Sequence, residues 1–469
     1  MTGWILTLAL SAAAASAAPS VNYRVELIAA EQQLSIAACV REPAAALRFE
    51  AEHPRAERFL LDVRRDEAAA VERRNGALVA RDWRAGECLR YRVDLGAVAR
   101  AEARSMGPAF GADLIATPHA WLWRPRELAR ASDATIELAL PRGWSLSVPW
   151  RPLDDAAPRR RFTLGTRPPT WPALVAFGRF EERDLAIGDD AIRYAAFGAL
   201  EPAQRQVLQR FVAMTAADAA ATFPRAYAQS PQVVIVPVGA QRQAVLFGQS
   251  NRGGGNALVL YVDPARRLDE YLDDWTLTHE LVHLVHPYLG DDGAWISEGI
   301  ATYFQNVVRA RTGRISADEG WRELAAGFGR GRDNRSTLTL RDTSRSMGER
   351  RLYMRGYWSG TALALRADLA WRTRASAPTS LEAVMNAWLA CCREPERHGD
   401  PATFLAELDR IAGGEPVFGP LYATHADRDV FPDVEDAWRT LGITLRGSRP
   451  AYTDAPSSRA LRRAIMGGP

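Results

Sequence analysis

The sequence predicts an α+β multidomain protein in which a β-rich N-terminal part precedes a mixed part and a helical C-terminal part. Its 469 residues correspond to about three domains of ordinary size. Short runs that alternate apolar and polar residues fill residues 21 to 168 and indicate a β-sandwich-like domain. Longer helical patterns dominate after a last strand-like run at 256–262, to about residue 412. With 47% hydrophobic residues, 25% charged residues and a net charge of +3, the chain is typical of globular proteins and gives no electrostatic case for nucleic-acid binding.

Residues 1–18 are expected to be a signal peptide. They contain no charged side chain, are apolar from Trp4 to Leu10, and end in small residues before Pro19. This order is typical of a cleavable secretory signal, and an uncleaved anchor is the alternative. We therefore expect export to the periplasm or the cell exterior. No later apolar run reaches the ~18 residues that span a bilayer, so the mature chain is expected to lack a transmembrane segment.

Four further segments follow the expected signal. We expect an N-terminal β domain at 19–168 and a boundary in the Pro- and Arg-rich stretch near residues 158–172. A mixed domain with a helix near 202–221 and buried strands at 232–238 and 256–262 is expected at 169–320, and helices that complete it at 321–445. Residues 446–469 are rich in Arg, Ser, Pro and Gly and are predicted to form a flexible tail.

The four cysteines fall into two pairs. Cys39 and Cys88 lie in strand-like stretches of the same domain, and in an oxidising compartment they could form a disulfide. Cys391 and Cys392 are adjacent and lack the spacing of a metal site, so we interpret them as buried helix residues.

The segment THELVH contains the strongest chemical signal. His279 and His283 are four residues apart, so on a helix they share one face and can direct two imidazoles at one metal ion. Glu280 is rotated by ~100° and can reach a water activated by that metal without being a ligand. Apolar residues surround this polar set, as expected for a helix that is buried beside a cleft.

A catalytic zinc ion needs a third protein ligand and an open position. Pro287, Gly290 and the following Asp-Asp-Gly would end the first helix, and a second helical pattern begins near Trp295. Fourteen residues separate His283 from Glu298, which is enough for a return to the metal. His286 is the competing candidate, but at three residues beyond His283 on the same helix it cannot close a tetrahedron unless the helix breaks.

Together, HELVH and WISEGIATYF resemble the gluzincin zinc peptidases, in which HExxH and a downstream Glu hold zinc, as in the aminopeptidase N family. The glycyl aminopeptidase family is the closer match, because YRVELI, WLWRP, GYWSGTALALRADLAWRTRASAPTSLEAVMNAWL and DVEDAWRTLGI are similar to stretches of its domains. The resemblance covers residues 21–443 thinly and 275–390 well. It implies a thermolysin-like catalytic domain at 169–320, one zinc ion and a peptide or protein substrate.

Carried over residue by residue, the resemblance implies that His279, His283 and Glu298 are the zinc ligands and that Glu280 activates water. It also points to Tyr357, at the tyrosine of a Y-x-K-G pattern, as a hydrogen-bond donor to the oxyanion of the tetrahedral intermediate. Without that pattern, packing beneath a helix is the simpler role for Tyr357.

The chain also departs from these families. Ser359 replaces the Lys of Y-x-K-G, and the PDZ domain common in the glycyl family has no counterpart in the sequence. Just before the zinc helix these families place a strand with Gly and a Glu that receives the substrate amino terminus; here the matching run holds Gly254, Gly255 and Asn256. An amide cannot neutralise an ammonium group, so a preference for free amino termini is in question. A tight turn is the alternative role of the glycines.

Two functions therefore remain. The favoured one is an exported zinc-dependent metallopeptidase that uses zinc-activated water, and Glu280 and Tyr357 favour it because neither is needed merely to hold zinc. The alternative is a catalytically impaired, zinc-stabilised binding or scaffold protein. The sequence leaves the oligomeric state and the choice between exo- and endo-cleavage open.

Overall fold

A computed structural model describes most of the chain. The described residues are 21–66, 70–102, 113–126, 134–154, 159–164, 173–252, 254–375, 379–392, 399–447 and 449–467. The expected signal peptide and most of the expected boundary segment near residues 158–172 lie outside these ranges.

The N-terminal part consists of strands and three short helices. The strands are β1 (Val21–Ile28), β2 (Gln33–Val40), β3 (Ala44–Glu50), β4 (Leu60–Arg65), β5 (Glu72–Arg74), β6 (Ala77–Trp83), β7 (Cys88–Asp94), β8 (Leu114–Ala116), β9 (Arg124–Pro125), β10 (Ala134–Ala139), β11 (Ser145–Ser147), β12 (Arg151–Asp154), β13 (Arg159–Thr163) and β14 (Val175–Gly178). The helices are α1 (Ala56–Phe59), α2 (Leu95–Glu102) and α3 (Pro118–Trp121).

These strands form three sheets. A seven-stranded sheet has the order β12-β13-β10-β1-β2-β7-β4, a four-stranded sheet the order β5-β6-β3-β9, and a three-stranded sheet the order β11-β14-β8. In β1 the residues Val21, Tyr23 and Val25 are buried while Arg24 and Glu26 face solvent, which is the alternation expected of a strand with one covered face. The two larger sheets contribute to one hydrophobic core. Cys39 and Cys88 lie opposite each other on β2 and β7 and form a disulfide.

A five-stranded sheet follows in the chain. It consists of β15 (Glu181–Ile187), β16 (Asp190–Ala196), β17 (Gln232–Pro237), β18 (Val245–Arg252) and β19 (Asn256–Val262), and helix α4 (Pro202–Thr222) connects β16 to β17. The strand order is β15-β16-β17-β19-β18, with β16, β17 and β19 parallel and β18 antiparallel to β19. Strand β18 therefore forms an edge of this sheet, and β19 is paired on both sides.

The remaining chain is mainly helical. Its elements are α5 (Leu268–Asp273), α6 (Thr276–Val282), α7 (Gly290–Arg311), α8 (Ala317–Asp333), α9 (Leu340–Arg345), α10 (Tyr353–Arg372), α11 (Leu381–Cys391), α12 (Pro401–Ala412), α13 (Phe418–His425), α14 (Glu435–Leu441), β20 (Ile443–Arg446), β21 (Arg449–Tyr452) and α15 (Pro456–Met466). These helices share one core with the five-stranded sheet. Among the described residues, no helix is long and apolar enough to cross a membrane. The chain is thus a multidomain α+β protein with a sheet-rich N-terminal part and a helical C-terminal part, as predicted.

The expectation of a flexible tail at 446–469 is wrong for the described part of that segment. Strand β21 pairs with β20, and α15 packs Ile465 and Met466 into the main core, where both are fully buried. The guanidinium of Arg311 donates hydrogen bonds to the carbonyl oxygens of Ala464 and Ile465. The polar composition of the tail concealed this helix, because only one face of it is apolar.

The interpretation of Cys391 and Cys392 as buried helix residues also needs correction. The two adjacent cysteines are joined by a disulfide at the end of α11, where Cys391 is exposed and Cys392 is partly buried.

The N-terminal part is joined to the five-stranded sheet by partly buried hydrogen bonds. Arg193 of β16 donates to the carbonyl oxygens of Pro149 and Trp150 at 2.9 and 3.2 Å. The carboxylate of Asp113 accepts hydrogen bonds from the backbone N–H groups of Arg179 and Gly198. Together these contacts hold the five-stranded sheet against the N-terminal part.

Candidate active site

Helix α6 carries the predicted HExxH residues. The helix begins directly after Trp275 and tightens into a 3₁₀ turn at His283. Its apolar side chains Leu277 and Leu281 are buried in the main core. His279, Glu280 and His283 are only 2%, 7% and 4% exposed. Buried polar side chains are costly unless they have partners, so this polar set within an apolar helix marks a site.

The structure brings the three predicted ligands together. Within the described residues, His279, His283 and Glu298 form the one group of potential ligand atoms spaced for a metal ion. The His279 Nε2 atom lies 3.0 Å from Glu298 Oε2 and 3.2 Å from His283 Nε2, and the third side of the triangle measures 3.4 Å. Zinc ligands at about 2.0–2.1 Å in a tetrahedron are about 3.3 Å apart, so all three distances fit one face of a zinc site.

Glu298 reaches this position on α7, as the helix-loop-helix return predicted. The helix begins at Gly290, five residues before the predicted start at Trp295, because the Asp-Asp-Gly run forms its first turn rather than a loop. Burial alone would raise the pKa of the Glu298 carboxyl, but the nearby imidazoles of His283 and His279 lower that pKa well below its ordinary value. A carboxylate that stays ionised is the form that binds a metal.

Two further side chains orient the imidazoles, and sequence reasoning did not find them. The Nδ1 atom of His279 lies 2.8 Å from Gln305 Oε1, and the Nδ1 atom of His283 lies 3.3 Å from Ser297 Oγ. Both partners are on α7. The available signal was spacing, since Gln305 follows Glu298 by seven residues and therefore lies on the same helix face. Such partners fix the tautomer and the orientation of ligating imidazoles.

His286 does not join the three-donor cluster. Helix α6 has ended by this point, and the backbone at His286 is extended. Its Nδ1 atom lies 2.9 Å from the carbonyl oxygen of Pro287, and its ring lies between those of His283 and Phe404. Burial lowers the pKa of this imidazole well below its ordinary value, so His286 is neutral.

Glu280 is placed for a base on the same helix. Burial raises the pKa of its carboxyl, and the neighbouring imidazoles of His283 and His279 oppose this only in part. The backbone N–H of Ser250 on β18 donates a hydrogen bond to this carboxylate. Gly248 also lies against it, because a Cβ atom at Gly248 would be 2.9 Å from Glu280 Cγ.

Tyr357 lies beside the predicted metal ligands. Its ring is parallel to the imidazole of His279, with an interplanar angle of 8° and a centroid distance of 5.8 Å. Burial and the neighbouring carboxylates of Glu298 and Glu280 raise the pKa of the phenol well above its ordinary value. The hydroxyl therefore remains protonated and can donate a hydrogen bond.

A close contact between two helices sets the position of Tyr357. Gly299 of α7 faces Gly360 of α10, and a Cβ atom on either residue would overlap the backbone of the other helix. The two helices therefore touch through their main chains. Ser359, which stands where the related pattern has Lys, is completely buried, so this site has no room for a solvated ammonium group.

The glycine run predicted to bind substrate forms a turn between two strands. Gly254 and Gly255 form the turn between β18 and β19, and a Cβ atom at Gly255 would overlap the carbonyl of Pro149. Asn256 is the first residue of β19, is 7% exposed, and pairs with Arg252 across the turn. The two glycines therefore lie in the tight turn that was their alternative role, close to residues of the N-terminal part. Contact of these three residues with a substrate stays a prediction.

The strand that does lie along the site is β18, with Gly248 and Ser250 against Glu280. Sequence reasoning did not single out β18, because the glycine run after it is the more conspicuous pattern. The sequence signal for β18 was its mixed polarity, which is typical of an edge strand and contrasts with the apolar β19 beside it.

The fold around this site is similar to that of solved aminopeptidase N family proteins and M1 zinc metallopeptidases, which confirms the resemblance at the level of the fold. An aminopeptidase N family protein from Idiomarina loihiensis aligns with a TM-score of 0.68 and 10% identity, over 90% of this chain and 78% of that chain. The M1 zinc metallopeptidase from Deinococcus radiodurans aligns at 0.51 and 15% identity, over 93% and 95% of the two chains. Native yeast LTA4 hydrolase aligns at 0.53 and 11% identity, over 97% and 74%.

No family model matches the chain, and no curated protein matches its sequence. The similarity is thus one of structure, with sequence identities of 10–15% for the three proteins above. The closer relationship to the glycyl aminopeptidase family stays a prediction.

Proposed function

We propose that this chain is a zinc-dependent metallopeptidase with a thermolysin-like catalytic domain. The observation that carries the proposal is the triangle of His279, His283 and Glu298 donor atoms, with sides of 3.0, 3.2 and 3.4 Å, next to the carboxylate of Glu280. Two neutral nitrogen donors and one carboxylate are the donor set of catalytic zinc sites that keep a position open.

When bound, zinc would polarise the scissile carbonyl and make an attacking water more acidic. The Glu280 carboxylate then accepts the proton of that water and delivers it to the departing amine, and its raised pKa suits both steps. The Tyr357 hydroxyl donates a hydrogen bond to the oxygen on which negative charge develops. Gln305 and Ser297 hold the two imidazoles while this happens.

The open edge of β18 is the proposed binding surface for the peptide backbone. Its outer side has no partner strand among the described residues, and the Ser250 N–H already points at Glu280. An extended peptide can add to such an edge through main-chain hydrogen bonds, which places its carbonyl groups next to the catalytic residues. Crystal structures of Deinococcus radiodurans M1 zinc metallopeptidase mutants bound to a Tyr-Ser-Ala substrate or to L-tryptophan support a peptide substrate.

The same strand bears on specificity for the amino terminus. The sequence of β18, VLFGQSNR, contains no acidic residue that could pair with a substrate ammonium group. We therefore propose that free and acetylated amino termini are accepted to within about tenfold in kcat/KM, which corresponds to ~1.4 kcal/mol.

Export is proposed on separate grounds. The uncharged, apolar first eighteen residues support it, and disulfides at Cys39–Cys88 and Cys391–Cys392 are compatible with an oxidising compartment. Amino-terminal sequencing of the protein recovered from culture medium and periplasm tests it: cleavage after Ala17 or Ala18 is expected, and an intact amino terminus in the cytosol would contradict it.

Metal analysis combined with hydrolysis tests the function. The purified chain should contain close to one zinc per molecule, and His283→Ala should remove it because only two ligands remain. Hydrolysis of matched peptides with free and acetylated amino termini is then measured. Bound zinc without hydrolysis of either peptide would favour the zinc-stabilised binding protein, and full zinc content in His283→Ala would contradict the metal site itself.

A further inference from the structure

Strand β18 and helix α6 run side by side in the same direction, and contacts join them along their length. In the middle of the strand, a Cβ atom added at Gly248 would lie 2.7 Å from Thr276 and 2.9 Å from Glu280. Two residues further on, the backbone N–H of Ser250 donates a hydrogen bond to the Glu280 carboxylate. The strand proposed to bind the peptide therefore touches the helix proposed to bind zinc.

A carboxylate joins the two elements where both begin. One oxygen of Asp274 accepts a hydrogen bond from the backbone N–H of Thr276 at 2.8 Å, and the other accepts one from Val245 of β18 at 3.4 Å. The first N–H groups of a helix have no partner within it, so an acceptor at this position stabilises the helix start. Asp274 therefore holds the start of β18 against the start of α6.

A guanidinium joins the two elements where both end. Arg252, the last residue of β18, is half-buried, and its Nη2 atom donates to the carbonyl oxygens of His283 and His286, the latter at 3.1 Å. These carbonyls belong to the 3₁₀ turn after α6 and to the residue that follows it. Carbonyl groups at a helix end lack partners within the helix, and a positive charge is favourable there. Arg252 thus bonds to the main chain of a predicted zinc ligand.

His283 depends on its main chain more than the other predicted imidazole ligand does. Its Nδ1 atom lies 3.3 Å from Ser297 Oγ, whereas the Nδ1 atom of His279 lies 2.8 Å from Gln305 Oε1. His279 also lies within α6, while His283 begins the 3₁₀ turn that follows. A group that fixes the backbone at His283 therefore helps to fix its ring.

We propose that Arg252 is a positioning residue that couples the predicted zinc ligand His283 to the peptide-binding strand β18. This rests on the proposed peptidase function, and it adds a residue that touches neither the metal nor the reacting atoms. With Arg252 in place, a peptide on the edge of β18 lies at a set distance from the three predicted ligands. Without it, the end of the strand and the end of the helix move separately, and a misplacement of about 1 Å costs about 10²-fold in rate.

The test compares two variants of Arg252 with a matched control. Arg252→Met keeps the apolar stem but has no donor, and it should weaken zinc binding about tenfold in competition with a chelator. Arg252→Lys keeps the charge, but its ammonium ends one bond short of the two carbonyls, so a smaller loss of about threefold is expected. Arg462→Met is the control, because Arg462 donates to the carbonyl oxygens of Leu441, at the end of α14, and Thr453 at 2.7 and 3.1 Å. It should leave zinc affinity unchanged.

Kinetics at saturating zinc separate positioning from support of the fold. The main-chain hydrogen bonds between the peptide and β18 remain in Arg252→Met, so KM should stay within about twofold. Its kcat should fall about tenfold, because the scissile carbonyl is displaced from the catalytic groups. Arg462→Met should keep both values. Urea unfolding of the zinc-free proteins should show a loss of stability in both methionine variants, since each removes two hydrogen bonds to carbonyl groups.

Wild-type zinc affinity and kcat in both variants of Arg252 would overturn the proposal, and Arg252→Lys decides alone if Arg252→Met does not fold. Equal losses of zinc affinity in Arg252→Met and Arg462→Met would overturn it as well, because they would follow from stability. So would a loss of zinc affinity with wild-type kcat at saturating zinc, because β18 would then not be coupled to the site.

Zinc affinity separates this proposal from the proposed function, because its measurement needs no turnover. Weaker zinc binding in the two variants of Arg252, together with an inactive wild type, would reject the peptidase and keep Arg252 as the residue that positions His283. Peptide hydrolysis by the wild type, together with unchanged zinc affinity and kcat in both variants, would keep the peptidase and reject the positioning role.

Discussion

His279 and Gln305 lie on different helices, and their side chains meet with 2.8 Å between Nδ1 and Oε1. An amide oxygen can only accept a hydrogen bond, so Nδ1 carries the proton and Nε2 directs its lone pair at the other two ligands. The contact therefore selects the tautomer of His279 that can bind zinc.

Replacement of Gln305 should change zinc affinity more than stability. Gln305→Ala removes the acceptor and should weaken zinc binding by about 10–100-fold. Gln305→Glu keeps an acceptor in the same place and should restore affinity to the wild-type level or above. Competition with a chelator measures both dissociation constants. Unchanged affinity in Gln305→Ala would show that the contact is not needed to orient the imidazole.

Glu280→Gln should keep zinc and lose turnover. The amide has nearly the shape of the carboxylate but cannot accept the proton of the attacking water, so kcat should fall by about 10²-fold or more. Zinc content and kcat are measured on the same preparation. Turnover at the wild-type rate would remove Glu280 from the mechanism.

Tyr357→Phe should lower kcat by about 10²-fold with little change in KM, because the lost hydrogen bond forms only as charge develops on the substrate oxygen. The ring contact with His279 is preserved in this variant, so zinc content serves as the control. A rise in KM at constant kcat would indicate that the hydroxyl binds the substrate in its ground state instead.

Gly360→Ala should destabilise the protein. The new Cβ atom would overlap the carbonyl oxygen of Trp295, and α10 would have to move away from α7. Overpacking of this kind costs about 1–3 kcal/mol of the free energy of unfolding. Gly329→Ala on α8 is the matched control, because no atom lies within 4 Å of its added Cβ. That control should stabilise the protein by about 0.5–1 kcal/mol, and urea unfolding measures both.

His119 should make the protein less stable in mild acid. Burial, assisted by repulsion from His53, lowers the pKa of its imidazole from 6.5 to about 4. Between these two values the unfolded chain binds a proton at this residue and the folded chain does not, so the free energy of unfolding decreases as the pH falls from about 6.5 to 4. His119→Asn should show a smaller decrease in urea unfolding over this range. An unchanged pH dependence would mean that His119 titrates alike in both states.

The site was predictable where local geometry determines it. The spacing of His279 and His283 corresponds to about one helical turn, so it places both imidazoles on one face of the helix. The turn after Pro287 reverses the chain and brings Glu298 to the same place. Strand β18 was not predictable in this way, because its role depends on which strand forms the edge of a sheet. The order that puts β18 outside β19 results from long-range pairing that no local pattern contains.

The C-terminal helix shows the same limit. The apolar face of α15 consists of a few residues in a polar segment, and only the docking of Ile465 and Met466 against the core makes it a stable helix. The partners of the imidazoles, Gln305 and Ser297, required knowledge of which helix faces which.

The contact between Gly299 and Gly360 affects how the protein should respond to heat. Glu298 and Tyr357 are each within three residues of this contact, so the spacing of their backbones is determined by two main chains that touch. Many enzymes lose activity through local loosening well before they unfold. Here the parts that would have to loosen are also the parts that join α7 and α10, the helices that carry Glu298 and Tyr357. Thermal inactivation and global unfolding should therefore occur at the same temperature.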